Sequence, residues 1–153
     1  MANTFTQIYV QIVFAVQGKL NLISEQNRER IEKYMCGIVS NNQSKPISIY
    51  CNPDHVHVLI GLHPSVSIAD MARDIKSSSS KLINENNLIK GKFRWQEGYG
   101  AFTYSRSQID SVAKYILNQP EHHKKKSFKE EYLDILDKLD IQYDDKYLFE
   151  WYD

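Results

Sequence analysis

His55 and His57 flank a single valine in the stretch Pro53-Asp54-His55-Val56-His57-Val58-Leu59-Ile60. In an extended strand, side chains at i and i+2 leave by the same face. The two imidazoles therefore project together, while Val56, Val58 and Ile60 line the opposite face. Imidazoles that share a strand face are well placed to hold one metal ion. The same pattern suits a strand that merely carries two half-exposed histidines, and the triplet alone leaves both readings open.

A second constellation lies on a helix-forming stretch, Ser107-Gln108-Ile109-Asp110-Ser111-Val112-Ala113-Lys114-Tyr115-Ile116-Leu117-Asn118-Gln119. Ile109, Val112, Ala113, Ile116 and Leu117 form its apolar stripe. Tyr115 and Gln119 are one helical turn apart and lie away from the centre of that stripe. A tyrosine presented outward beside a glutamine is available for chemistry. Taken alone, it is equally an ordinary amphipathic tyrosine on a helix edge.

These residues need a scaffold, and the chain is long enough to supply one. At 153 residues and 42% apolar content it can bury a real core as a single domain, 1–153. Its apolar runs are far shorter than a membrane span, and the first residues lack a basic start followed by an apolar stretch. Cys36 and Cys51 form no CxxC pattern and read as free buried thiols in a reducing compartment, which points to the cytoplasm.

The formal net charge is zero, but its distribution is uneven. Residues 130–153 hold nine acids and two bases, leaving ten acids and seventeen bases in residues 1–129. A basic body with an acidic helix and tail, residues 127–153, suits a phosphate-backbone partner, although chance segregation on a solvated surface would look the same.

Hydrophobic periodicity orders the elements. Residues 4–16 alternate with period two, through Ile8, Val10, Ile12 and Phe14. Ser24 is a cap for a helix to about residue 40, with Ile31, Tyr34, Met35, Ile38 and Val39 as its stripe. A strand over 45–52 and the histidine strand form a hairpin about Asn52-Pro53-Asp54. Ser67 caps a second helix to about residue 86, in which the serine run 77–80 suits either close packing or phosphate contacts. A loop over 88–106 includes the glycines of 98–100, a candidate hinge, and ends in a short strand over 101–105. Ser107 caps the tyrosine helix, and a charged helix follows over 127–139. Pro120 disfavours α geometry at Gln119.

The order β-α-β-β-α-β predicts an α+β, ferredoxin-like (RRM-like) sandwich, an antiparallel sheet with appended C-terminal helices. The two core helices cover the face bearing Ile8, Val10, Ile12, Val56, Val58 and Ile60. The face bearing Gln7, Tyr9, Gln11, Tyr50, His55 and His57 is left for the chemistry.

Three segments together resemble one family. They are His55-Val56-His57, then Arg94-Trp95-Gln96-Glu97-Gly98-Tyr99-Gly100-Ala101-Phe102, then Tyr115-Ile116-Leu117-Asn118-Gln119-Pro120-Glu121-His122-His123. The combination is similar to the single-tyrosine HUH transposases of insertion sequences and their REP-associated relatives, across essentially the whole chain.

The resemblance implies that His55, His57 and Gln119 hold a divalent metal, Mg²⁺ or Mn²⁺, and that Tyr115 is the nucleophile. It implies cleavage of single-stranded DNA through a 5′-phosphotyrosine, with rejoining by a 3′-hydroxyl, and recognition of hairpins at element ends. It also implies a homodimer whose active sites are shared between subunits. His122 and His123 match the family pattern without an assigned role.

DNA contacts are expected from Arg73, Lys76, Lys81, Lys92, Arg94, Lys124 and Lys125, with Trp95 stacking on an unpaired base or packing in the core. The alternative is a domesticated, non-cutting protein that binds single-stranded or hairpin nucleic acid. A two-histidine phosphoesterase of small molecules would want two HxT or HxS elements, and the sequence holds a single such triplet, His63-Pro64-Ser65, at a chain break.

Overall fold

A computed structural model describes residues 3–152. The elements in chain order are β1 (Tyr9–Ala15), α1 (Glu25–Asn41), β2 (Lys45–Cys51), β3 (His55–Gly61), α2 (Ile68–Glu85), β4 (Gly100–Thr103), α3 (Ile109–Leu117), α4 (Gln119–His122) and α5 (Phe128–Lys138). The strands form one antiparallel sheet in the order β2-β3-β1-β4, as a ferredoxin-like β-α-β-β-α-β chain requires. No helix among the described residues is long and apolar enough to cross a membrane.

Register carries the site. Val13 pairs with His57 and Ala15 with His55, so both imidazoles leave the centre of the sheet by one face. Val56, Val58 and Ile60 leave by the other, into a core shared with Ile31, Met35 and Val39 of α1 and Met71, Ile75 and Ile83 of α2. Ser67 starts α2 by accepting the backbone N–H of Asp70 at 3.0 Å.

The histidine face is also covered, by α3 and α5. Leu59 of β3 packs with Ile109 and Ile116 of α3. Phe128 of α5 lies flat on His55, with ring centroids 3.8 Å apart and planes 9° apart. The face that the two core helices leave free is thus buried by the helices that follow them: His55 is 1% and His57 0% exposed. Burial that complete also rules out two histidines merely tolerated at half exposure.

The chain leading into α3 differs from the sequence reading as well. The helical turn begins at Ser105, not Ser107, because the Gln108 side chain accepts the Ser105 N–H at 3.0 Å. The α-helix then ends at Leu117, and Gln119 opens a separate short helix with Pro120 in its first turn. A proline is tolerated there because that N–H has no intrahelical partner.

The acidic end of the chain is part of the fold. Phe128, Tyr132, Leu136 and Phe149 belong to the main core. The Glu150 N–H donates to Gln96 Oε1 at 2.7 Å, and Gly18 N–H donates to the Tyr152 hydroxyl at 2.8 Å. Gly100 is no hinge: it is buried in β4, directly beneath the ring of Tyr132.

Candidate active site

The site is built around the carboxylate of Glu131, delivered by α5. An acid has no business on an apolar helix stripe unless it is paired, and Glu131 sits on the stripe of Phe128, Tyr132 and Leu136 at only 2% exposure. Its Oε1 lies 3.2 Å from His55 Nε2 and 3.1 Å from His57 Nε2. His55, His57 and Glu131 bring their ligand atoms together closely enough to hold a metal ion. The second carboxylate oxygen, Oε2, accepts hydrogen bonds from the Tyr115 hydroxyl and, at 2.9 Å, from Gln119 Nε2.

Each strand histidine is aimed from behind. His55 Nδ1 faces Asp54 Oδ1 at 2.7 Å, and His57 Nδ1 faces Gln11 Oε1 at 2.7 Å. Both Nδ1 atoms thus donate, and both Nε2 atoms turn toward Glu131, the arrangement that orients metal-ligating histidines elsewhere. Gln11 is fixed in turn, since its Nε2 donates to the Tyr104 hydroxyl at 2.6 Å. The donor set of imidazole, carboxylate and amide oxygen fits a divalent cation.

The kink at Pro120 aims Gln119 inward. Gln119 is 0% exposed, and its Oε1 accepts from Asn52 Nδ2 at 2.9 Å. Asn52 in turn comes from the turn preceding the histidine strand. Tyr115 reaches the same carboxylate from the last turn of α3, with its ring stacked on His122 at a centroid distance of 4.2 Å. One chain therefore brings His55, His57, Tyr115, Gln119 and Glu131 into a single cluster.

Electrostatics follow from burial and proximity. Burial and the adjacent Glu131 carboxylate push the Tyr115 phenol well above its ordinary value. Burial would raise the Glu131 carboxyl, but His57, His123 and His55 outweigh it and hold the group far below the usual carboxylate range. Burial keeps His57 below the ordinary histidine value despite Glu131. At His55 burial acts the same way, but Asp54 and Glu131 overcome it and raise the pKa. In this state the phenol holds its proton and donates it as a hydrogen bond.

The cluster opens to solvent through a cleft of about 370 Å³ lined by Tyr104, Val112, Tyr115, His122, Lys125 and Glu131, among others. Of the basic residues expected to contact DNA, Lys125 stands at this mouth, and Lys124, ion-paired with Glu121 at 3.1 Å, is its chain neighbour. Arg73, Lys76 and Arg94 line a different cleft of about 510 Å³ with Trp95 and Tyr99.

Within that cleft, the Lys76 ammonium is committed to the carbonyl oxygens of Gln96 and Gly98 at 2.7 and 2.9 Å. Arg73 pairs with Asp70, and Lys81 with Glu85 on the exposed side of α2. Lys92 is exposed and lines neither cleft. Of the two readings of Trp95, stacking on a base or packing in the core, its surroundings match packing. It is 8% exposed, set edge-on to Phe14 and Phe93, and donates its indole N–H to Ser79 Oγ at 2.9 Å. That bond also assigns Ser79 of the serine run to packing.

Glu131 escaped the sequence reading, which counted it among the acids of the tail. The legible signal was its position on the apolar stripe of its own helix.

Comparison with known proteins shows a family. Residues 4–119 match the family model described as "Transposase IS200 like". The chain is 21% identical over 118 residues to the ISDra2 transposase TnpA of Deinococcus radiodurans, covering 74% of this chain and 84% of that protein. It is 23% identical over 129 residues to the transposase for insertion sequence element IS200 of Salmonella typhimurium, covering 81% of this chain and 84% of the relative. Among solved structures, a candidate transposase of D. radiodurans superposes with a TM-score of 0.62 at 19% identity, over 78% of this chain and 95% of that one. A REP-associated tyrosine transposase bound to a REP hairpin superposes with a TM-score of 0.60 at 10% identity, over 80% of this chain and 73% of that one. At these identities the structural likeness speaks for the fold.

Proposed function

The chain belongs to the IS200-like transposase family, and from that premise we propose that it cuts and rejoins single-stranded DNA with Tyr115 as the nucleophile. The observation that carries this reading is the shared carboxylate. Glu131 Oε2 takes the hydrogen bond of the Tyr115 hydroxyl while Glu131 Oε1 faces both strand histidines. Nucleophile and cation-binding groups thus meet at one residue.

The phenolic oxygen of Tyr115 attacks the scissile phosphorus, and the bond from phosphorus to the 3′ oxygen breaks. A 5′-phosphotyrosine and a free 3′-hydroxyl result. Glu131 Oε2 is the atom positioned to receive the phenolic proton, and the departing 3′ oxygen takes up a proton from solvent in the open cleft and leaves as a hydroxyl. Attack by a 3′-hydroxyl on the phosphotyrosine reverses the exchange and joins strands without an external energy source. His55, His57, Glu131 and Gln119 are the residues that would hold a divalent ion, Mg²⁺ or Mn²⁺. When bound, such an ion supplies Lewis-acid stabilisation of charge on the phosphate oxygens.

The cleft at Tyr115 is the entry for the strand, and Lys125 at its mouth suits a phosphate. The solved relative bound to a REP hairpin supports hairpin DNA as the substrate class. The family resemblance implies a homodimer with shared sites. The intramolecular cluster supports a version of this reading in which each subunit works with its own tyrosine.

The test is incubation of the protein with labelled single-stranded DNA from the flanks of its own gene, with Mg²⁺ or Mn²⁺, on a denaturing protein gel. A covalent adduct that is lost in Tyr115→Phe and lost on chelation is the expected result. Salt-sensitive hairpin binding with no adduct under any condition would replace the transesterase by the non-cutting DNA-binding reading.

A further inference from the structure

We propose that His123 is a third imidazole ligand of this chain's cation centre, so that His55, His57 and His123 with Glu131 bind the ion, and Gln119 is a secondary donor. This rests on the metal-dependent reading above and deepens it.

Three observations point to His123. Its Nε2 lies 3.3 Å from Glu131 Oε1, the oxygen that His55 Nε2 and His57 Nε2 also face at 3.2 and 3.1 Å. Three imidazole nitrogens from two elements thus converge on one carboxylate oxygen. Second, the remaining ring nitrogen of each histidine faces an acceptor: Asp54 Oδ1 for His55, Gln11 Oε1 for His57, and the Lys126 carbonyl oxygen for His123 at 2.8 Å. Nδ1 of His123 is thus held from behind, as at the other two, and Nε2 is turned inward. Third, His123 Nε2 also faces Gln119 Oε1 at 2.9 Å, so its neighbours there are acceptor oxygens.

Three imidazole nitrogens and a carboxylate oxygen that meet at one point make a donor set for one cation. A single divalent ion serves all the donors at once. The local chain explains why His123 arrives with Gln119. The His123 N–H closes the short helix by donating to the Gln119 carbonyl at 2.9 Å. The turn allowed by Pro120 therefore delivers two donors four residues apart on one face.

A set of three imidazoles and one carboxylate favours Mn²⁺, or a later first-row ion, over Mg²⁺, which prefers oxygen ligands and keeps its waters. The test uses the full chain stripped of metal and titrated with Mn²⁺ and separately with Mg²⁺ by calorimetry. Electron spin-echo spectroscopy of the Mn²⁺ complex counts coupled imidazole nitrogens.

The expected result is one Mn²⁺ per chain, bound at least about tenfold more tightly than Mg²⁺, with three imidazole couplings. His55→Ala abolishes binding. His123→Ala weakens it by about 10- to 100-fold and leaves two couplings. His123→Asn retains a donor for the Lys126 carbonyl and so separates loss of the ligand from loss of folding. His63→Ala, in an exposed loop, binds as the wild type does. Wild-type affinity with three couplings in both His123 variants would overturn the ligand assignment and leave the two-histidine centre standing. No Mn²⁺ binding by the wild-type chain would overturn the metal-dependent reading itself.

Discussion

Tyr115 and Glu131, sixteen residues apart in the chain, are joined by a hydrogen bond in which the phenol donates to the carboxylate. That one contact ties the tyrosine helix to the C-terminal helix and links Tyr115, the nucleophile proposed above, to the histidine pair. Glu131 uses one oxygen for Tyr115 and the other for His55 and His57.

Tyr115→Phe is expected to abolish the covalent DNA adduct while leaving equilibrium DNA binding within about twofold. Glu131→Gln keeps the shape but removes the proton acceptor. Its single-turnover rate of adduct formation should fall by about 10²- to 10⁴-fold. A rate near wild type would remove Glu131 from the proton transfer.

Gln11→Leu strips the buried His57 Nδ1 of its acceptor and the half-buried Tyr104 hydroxyl of its donor. An unpaired buried polar group costs about 1–3 kcal/mol. Urea unfolding should register that loss in the metal-free protein. Metal affinity should drop as well, by about 10- to 100-fold, because the ring is no longer aimed. Unchanged affinity would mean that packing alone orients His57.

Gly100→Ala places a methyl group within 3.0 Å of Phe102 Cζ and Tyr132 Cε1. Overpacking of this kind costs about 1–3 kcal/mol. Thermal melting should show the loss, and a second substitution, Tyr132→Phe, should recover part of it by removing the hydroxyl that also sits against the new methyl group. No recovery in the double variant would place the strain in the backbone of β4.

The His55 pKa gives a pH prediction. Asp54 and Glu131 raise it even though burial opposes the charged form. A histidine with a raised folded pKa adds stability that is complete below its unfolded value of about 6.5 and is lost as pH rises through the folded value. The metal-free protein should therefore lose stability as pH climbs above about 6.5, and Asp54→Asn should flatten that slope. The same proton competes with a cation for Nε2, so Mn²⁺ affinity should rise with pH over the same window. An affinity independent of pH there would show that His55 is already unprotonated.

Lys125→Ala should weaken binding of single-stranded DNA and lower the salt slope, log affinity against log salt, by about 0.7. The readout is fluorescence anisotropy at several salt concentrations. An unchanged slope would move the phosphate path away from the mouth of the cleft.

The sequence by itself determined the sheet and made part of the candidate site legible. Period two put His55 and His57 on one face of β3, and the order of periodic segments predicted the antiparallel sandwich that the structure has. The Tyr115 and Gln119 pair was legible because both depart from the apolar stripe of their stretch. These are local properties, fixed by backbone geometry over a few residues.

Tertiary structure decided the rest. Glu131 became the centre of the site because α5 packs its apolar stripe over the histidine face, and no short-range pattern encodes which sheet a helix will cover. The choice between stacking and packing for Trp95 was settled in the same way, since Phe14, Phe93 and Ser79 surround it only once β1 and α2 are assembled. Gln11 and His57 belong to different strands and meet only through the β1–β3 register. Periodicity states which side of an element is buried, whereas the partner that buries it is chosen by the free energy of packing the whole chain.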